Sequence, residues 1–61
     1  MTTYEINYKN RLNEMFDALI MNLGFEDRRV ILFATHKEKL ENQATYKNRE
    51  KMEKMFKAYM K

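Results

Sequence analysis

Val30-Ile31-Leu32-Phe33-Ala34 decides how this chain folds. It is the one run of five consecutive apolar residues, near the middle of 61, with Arg28-Arg29 before it and Thr35-His36-Lys37 after. A helix at a protein surface shows a single apolar stripe, so a run that is apolar all round must be covered on several sides. Val-Ile-Leu-Phe also suits a short buried strand. No second run is available to pair with such a strand, and the chain has no proline and one glycine with which to build sheet turns. Leu, Met, Glu, Lys and Arg all favour helix. The expected fold is therefore all-α: a three-helix bundle over residues 1–61, made of a helical hairpin and a C-terminal amphipathic helix, and self-associating.

Before the run, a first helix is predicted over about 3–23. Thr2 and Glu5 have the Thr-x-x-Glu spacing of a capping box, in which each side chain satisfies a backbone donor at the helix start. Tyr8, Leu12, Met15, Phe16, Leu19, Ile20 and Leu23 recur at helical spacing and form one stripe, with Asn10, Asn13, Glu14 and Asp17 on the other side. Gly24 is placed to end the helix at positive φ, with Phe25 folding back on Ile20 in a Schellman motif.

The run itself belongs to a second helix, predicted over about 26–42. Glu26 and Asp27 put negative charge at the positive end of its dipole. Val30, Phe33, Ala34 and Leu40 make a face toward the first helix, interrupted by Lys37. Ile31 and Leu32 then point away from that face, on opposite sides. One uninterrupted helix to Tyr59 would be the rival arrangement. A heptad through Val30, Phe33 and Leu40 carries Lys47, Lys51 and Lys54 into the seam, so a long coiled coil fails. A break within Asn42–Thr45 is expected instead, with Thr45 or Asn48 capping a third helix over about 46–60. That helix carries Met52, Met55, Phe56, Tyr59 and Met60 on one face and Lys47, Lys51, Lys54 and Lys61 on the other.

Size limits what such a bundle can be. A domain of about 60 residues buries only about 60% of the surface its unfolded chain exposes, and usually needs disulfides, a metal or self-association. The chain has no cysteine and one histidine, which excludes disulfides and makes a structural zinc site implausible. No metal or other cofactor is expected. Twelve Lys/Arg against nine Asp/Glu give a net charge of +3, mildly basic rather than the dense tract of a nucleic-acid arm. The N-terminus has no charged region leading into an apolar one, and no apolar segment nears about 20 residues. A cytoplasmic protein without a membrane span is expected.

The sequence nominates no catalytic group. His36 is the only side chain that normally titrates near neutral pH, and nothing in the pattern supplies a nucleophile or second acid/base group beside it. Phosphate-binding loops and EF-hands need glycines that are absent. No enzymatic activity is expected.

Two binding readings are left. Ile6, Ala18 and Met21 lie off the main stripe of the first helix, and with Ile31 and Leu32 they form surplus apolar surface. A lone bundle would leave it wet. Ile31, Leu32, Met21 and Ile6 are therefore the candidate protein interface, first for a two-fold dimer and then for another protein. The leading expectation is a small regulatory or inhibitory protein acting by protein binding. Size and composition, and nothing more specific, suggest the kind that mobile elements encode. The alternative is a nucleic-acid-binding regulator using Arg28, Arg29, Lys47, Lys51 and Lys54. A helix-turn-helix can be laid over Leu19 to Phe33 with Gly24 in its turn, but Glu26 and Asp27 would then lead the recognition helix toward phosphate. The methionine-rich face of the third helix could also lie on an anionic membrane, although such a face more often joins the core.

Overall fold

A computed structural model describes residues 1–61 and contains three helices: α1 (Thr3–Leu23), α2 (Arg28–Leu40) and α3 (Tyr46–Tyr59). There is no strand, so the central apolar run is helical, and all three helices pack on one another as a three-helix bundle. At a rise of 1.5 Å per residue, α1 is about 31 Å long. It accounts for the long dimension of a molecule measuring 33 × 16 × 16 Å.

Local chemistry sets each boundary. Thr2 caps α1 in a complete capping box: its side chain accepts the Glu5 N–H at 3.2 Å, and Glu5 Oε1 accepts the Thr2 N–H at 3.0 Å. Those bonds also hold the Glu5 carboxyl below its ordinary pKa. At the other end Gly24 donates its N–H to the Ile20 carbonyl at 2.8 Å. Its φ of 87° is positive as expected, but ψ is 157°, an extended conformation open almost only to glycine. The Schellman fold-back therefore does not form, and Phe25 swings outward to 74% exposure instead of packing on Ile20.

Asp27 stands outside α2 as its N-cap and accepts the Arg29 N–H at 2.8 Å. A carboxylate at this position satisfies an orphan donor and complements the dipole together. The chain leaves helix after Leu40 and resumes at Tyr46, where Thr45 caps α3 by accepting the Asn48 N–H at 3.1 Å. Asn48 Nδ2 returns a 2.8 Å bond to the Gln43 carbonyl, tying the turn to the helix it starts.

Contacts across the bundle give its topology. Phe16 and Phe33 stack with centroids 6.3 Å apart and planes 8° from parallel, and the Tyr8 hydroxyl donates to the Leu40 carbonyl at 2.7 Å. Residue numbers falling on α1 thus meet numbers rising on α2, the mark of an antiparallel hairpin. On the third side Tyr4 meets Tyr46 and Arg11 meets Glu53, two contacts with the same offset of 42. A constant offset means that α3 runs alongside α1 in the same direction over this stretch. The three helices therefore run up, down and up.

The core consists of Tyr8, Leu12, Met15 and Leu19 from α1, Val30 and Phe33 from α2, and Met52 from α3. Four of these seven side chains come from α1, which makes it the spine. Phe16, Ile20, Leu23, Leu40, Met55, Phe56 and Tyr59 pack around them, half-buried. Lys37, the apparent interruption in α2, lays its stem inward: its ammonium sits 5.8 Å from the Phe16 ring centre and 3.4 Å from Glu41.

Candidate functional site

Seven buried residues out of 61 leave much of the apolar content outside. Each helix turns 100° per residue, so numbering and the cross-helix contacts place the outer side chains. On α2, Arg29, Leu32 and His36 share one flank. Arg29 Nη1 reaches the Tyr59 carbonyl at 3.4 Å, which identifies that flank as the one beside α3. Ile31, Ala34 and Glu38 share the opposite flank, beside α1. Ile31 is 55% exposed and Leu32 41%. These two residues therefore stand either side of the outer ridge of α2, with neither tucked into the bundle.

The other two candidate interface residues stand elsewhere. Met21 is 86% exposed and Ile6 46%, both on the back of α1. Fifteen residues separate them, about 22 Å along the axis. The structure thus brings Ile31 and Leu32 together on α2 and leaves Ile6 and Met21 at opposite ends of α1. Phe25, in the turn that leads into α2, is an exposed apolar group that sequence reasoning placed inside. Tyr46 is exposed as well, with one side of its ring 5.4 Å from Tyr4, whose hydroxyl is buried without a partner.

The basic candidates divide in a different way. Arg29 is held by Asp27 through Nε at 2.9 Å and Nη2 at 2.8 Å, a bidentate pair that occupies the guanidinium. The same bonds push the Asp27 carboxyl down to about 2. Arg28, one residue earlier, is exposed and forms no ion pair. Lys47, Lys51 and Lys54 share the outer face of α3 and, with Glu50, frame a shallow open concavity of about 440 Å³. Lys54 pairs with Glu50 at 3.1 Å, whereas Lys47 and Lys51 are unpaired. On the far side of α3, Glu53 accepts from Arg11 Nε at 2.7 Å and Nη2 at 2.9 Å, with Arg11 also over the Phe56 ring at 5.7 Å. This pair holds the Glu53 carboxyl low and the Arg11 guanidinium high. It settles which edge of α3 faces α1, and so leaves the lysine row turned outward.

His36 hydrogen-bonds through Nδ1 to the Leu32 carbonyl one turn back, at 2.9 Å. No acid, base or nucleophile is hydrogen-bonded to its ring, so the contact is local to the helix. No three His, Cys, Asp or Glu side chains gather at metal-binding range, and no helix is long and apolar enough to cross a membrane. The outer faces carry an apolar, charged ridge on α2 and a cationic row on α3. No protein-family model, curated protein or solved structure matches this chain.

Proposed function

We propose that this protein is a small non-enzymatic regulator that acts by binding another protein through the outer ridge of α2. The observation that carries the reading is the exposure of Ile31 and Leu32, 55% and 41%, in the middle of the chain's most apolar segment. Full burial of such a side chain contributes about 1.5–3 kcal/mol, so covering the exposed half of each is worth on the order of 1 kcal/mol apiece. Two neighbouring side chains of this kind, with Phe25 exposed in the turn that precedes the same helix, form the anchor from which a protein interface is built.

The test is retention of protein partners from the cells that express the chain, comparing wild type with Leu32→Asp. The reading predicts defined partners held by wild type and lost from Leu32→Asp, with both proteins equally helical by circular dichroism. Equal retention by the two would overturn it.

A nucleic-acid-binding regulator is the second reading, supported by the unpaired Lys47, Lys51 and Arg28 on the outer faces of α3 and α2. Arg29 and Lys54 belong to the same reading but each already pairs with a carboxylate, Asp27 and Glu50. Binding to random duplex DNA would weaken steeply with salt if phosphate contacts dominate. Absence of binding even at low salt would remove this alternative.

A further inference from the structure

One row of α2 matches itself when reversed. Arg28, Ile31, Thr35 and Glu38 follow one another at steps of three, four and three, the spacing that keeps side chains on one helix face. All four are exposed. Read from the other end the row is acid, small polar, apolar, base, so its charged ends are complementary to those of a reversed copy. A second α2 laid antiparallel on the first, with the two-fold axis midway between Ile31 and Thr35, therefore puts Arg28 against Glu38 of the second copy at both ends. Ile31 then meets Thr35 of that copy twice in the middle. Leu32 and Ala34, just off the row on either side, come near their own symmetry mates.

Neither Arg28 nor Glu38 has an ion-pair partner within its own chain, although Asp27, Lys37, Glu50, Glu53, Arg11, Arg29 and Lys54 pair with one another or with Glu41. Other outer rows do not share this symmetry. Arg28, Leu32, Thr35 and Lys39 would bring cation against cation under the same operation. The lysine row of α3 would set Lys47 against Lys54 of the second copy at both ends. The self-matching row also leans toward the α1 flank of α2, away from those lysines.

We infer that the ridge of α2 is the contact between two copies of this chain, packed antiparallel about a two-fold axis with reciprocal Arg28–Glu38 pairs. This rests on the reading of α2 as the binding face and makes a second copy its occupant in the free protein, displaced when another protein binds there. A two-fold contact uses one patch twice, which is what a row complementary to its own reverse provides.

The experiment is a charge swap followed by sedimentation equilibrium over a range of concentrations. Wild type is expected to dimerise. Arg28→Glu and Glu38→Arg each replace two attractive contacts by two repulsive ones and should weaken the dimer about tenfold or more. The double swap, Arg28→Glu with Glu38→Arg, restores both pairs and should recover the wild-type dissociation constant. An equimolar mixture of the two single variants should form a heterodimer, since each supplies what the other lacks. Both positions are exposed and unpaired in the chain, so circular dichroism should show every variant as helical as wild type. A monomer at all concentrations overturns the inference, as does a dimer indifferent to the swaps or one that the double swap fails to restore. In any of these cases loss of other partners from Leu32→Asp would still support α2 as a binding face, so the two readings fail separately.

Discussion

Phe33→Ala measures how much of this bundle rests on one ring. Phe33 is fully buried and stacks on Phe16 at 6.3 Å, an offset parallel geometry that adds to its burial. Removing a buried phenyl ring costs about 3–5 kcal/mol, transfer and cavity together. Stability on the order of 0.05–0.15 kcal/mol per residue gives a chain of this length roughly 3–9 kcal/mol in all. The substitution therefore removes a third of the stability at least, and in the less stable part of that range all of it. Each kcal/mol shifts the Tm of so small a domain by about 4–8 °C, so a fall of more than about 12 °C is expected. Thermal melts followed by circular dichroism, at one dilute protein concentration, would read it. Leu32→Ala, one residue earlier and 41% exposed, is the internal control and should lose well under half as much. Should Phe33→Ala melt within about 4 °C of wild type, the ring is not a keystone and the account of the core is wrong.

Three further outcomes follow from the same geometry. Gly24→Ala has open space for its methyl group yet should cost about 1–3 kcal/mol, because φ of 87° with ψ of 157° is strained for any residue with a Cβ; an unchanged urea midpoint would contradict this. Tyr8→Phe deletes the 2.7 Å bond to the Leu40 carbonyl, which keeps its 2.9 Å bond from Gln43 N–H, so the loss should stay near 0.5–1.5 kcal/mol; a loss above about 3 kcal/mol would show that the carbonyl is left unsatisfied. Asp27 titrates near 2 when folded against an ordinary 3.8, and Glu5 and Glu53 are also lowered. The unfolded chain therefore binds more protons in the acid range, and stability present above those ordinary values drains away as pH falls toward 2. Tm against pH should drop through that window, with a shallower lower end for Asp27→Asn; a flat profile would mean that these pairs do not matter in solution.

Much of the fold was written in local patterns. The capping box of Thr2 and Glu5, the stripe from Tyr8 to Leu23 and the Thr45 cap depend on residues a few positions apart, so spacing alone exposes them. The same holds for Ile31 and Leu32: once Val30 and Phe33 set the inward face, a turn of 100° per residue carries the two residues between them out to its opposite flanks. Ile6 and Met21 are as exposed as their place off the stripe implies, yet being off the stripe says nothing of what they share a surface with. Phe25 was misplaced because glycine permits several positive-φ states. Which of them Gly24 takes depends on where α2 must begin to meet α1.

Local pattern alone dictates three helices and an apolar surplus at the centre, since hydrophobic period, breakers and caps act within a turn or two of chain. Packing decides which neighbours meet across thirty to forty-two residues: Arg11 with Glu53, Arg29 with Tyr59, α3 alongside α1. Packing also places Arg29, already paired locally with Asp27, against the Tyr59 carbonyl of α3. Arg28 and Arg29 look alike in the chain, but only packing shows that Asp27 and α3 hold one of them while the other faces solvent. Side-chain contacts between helices depend on how three stripes close on a shared core, a condition no single stretch of sequence contains.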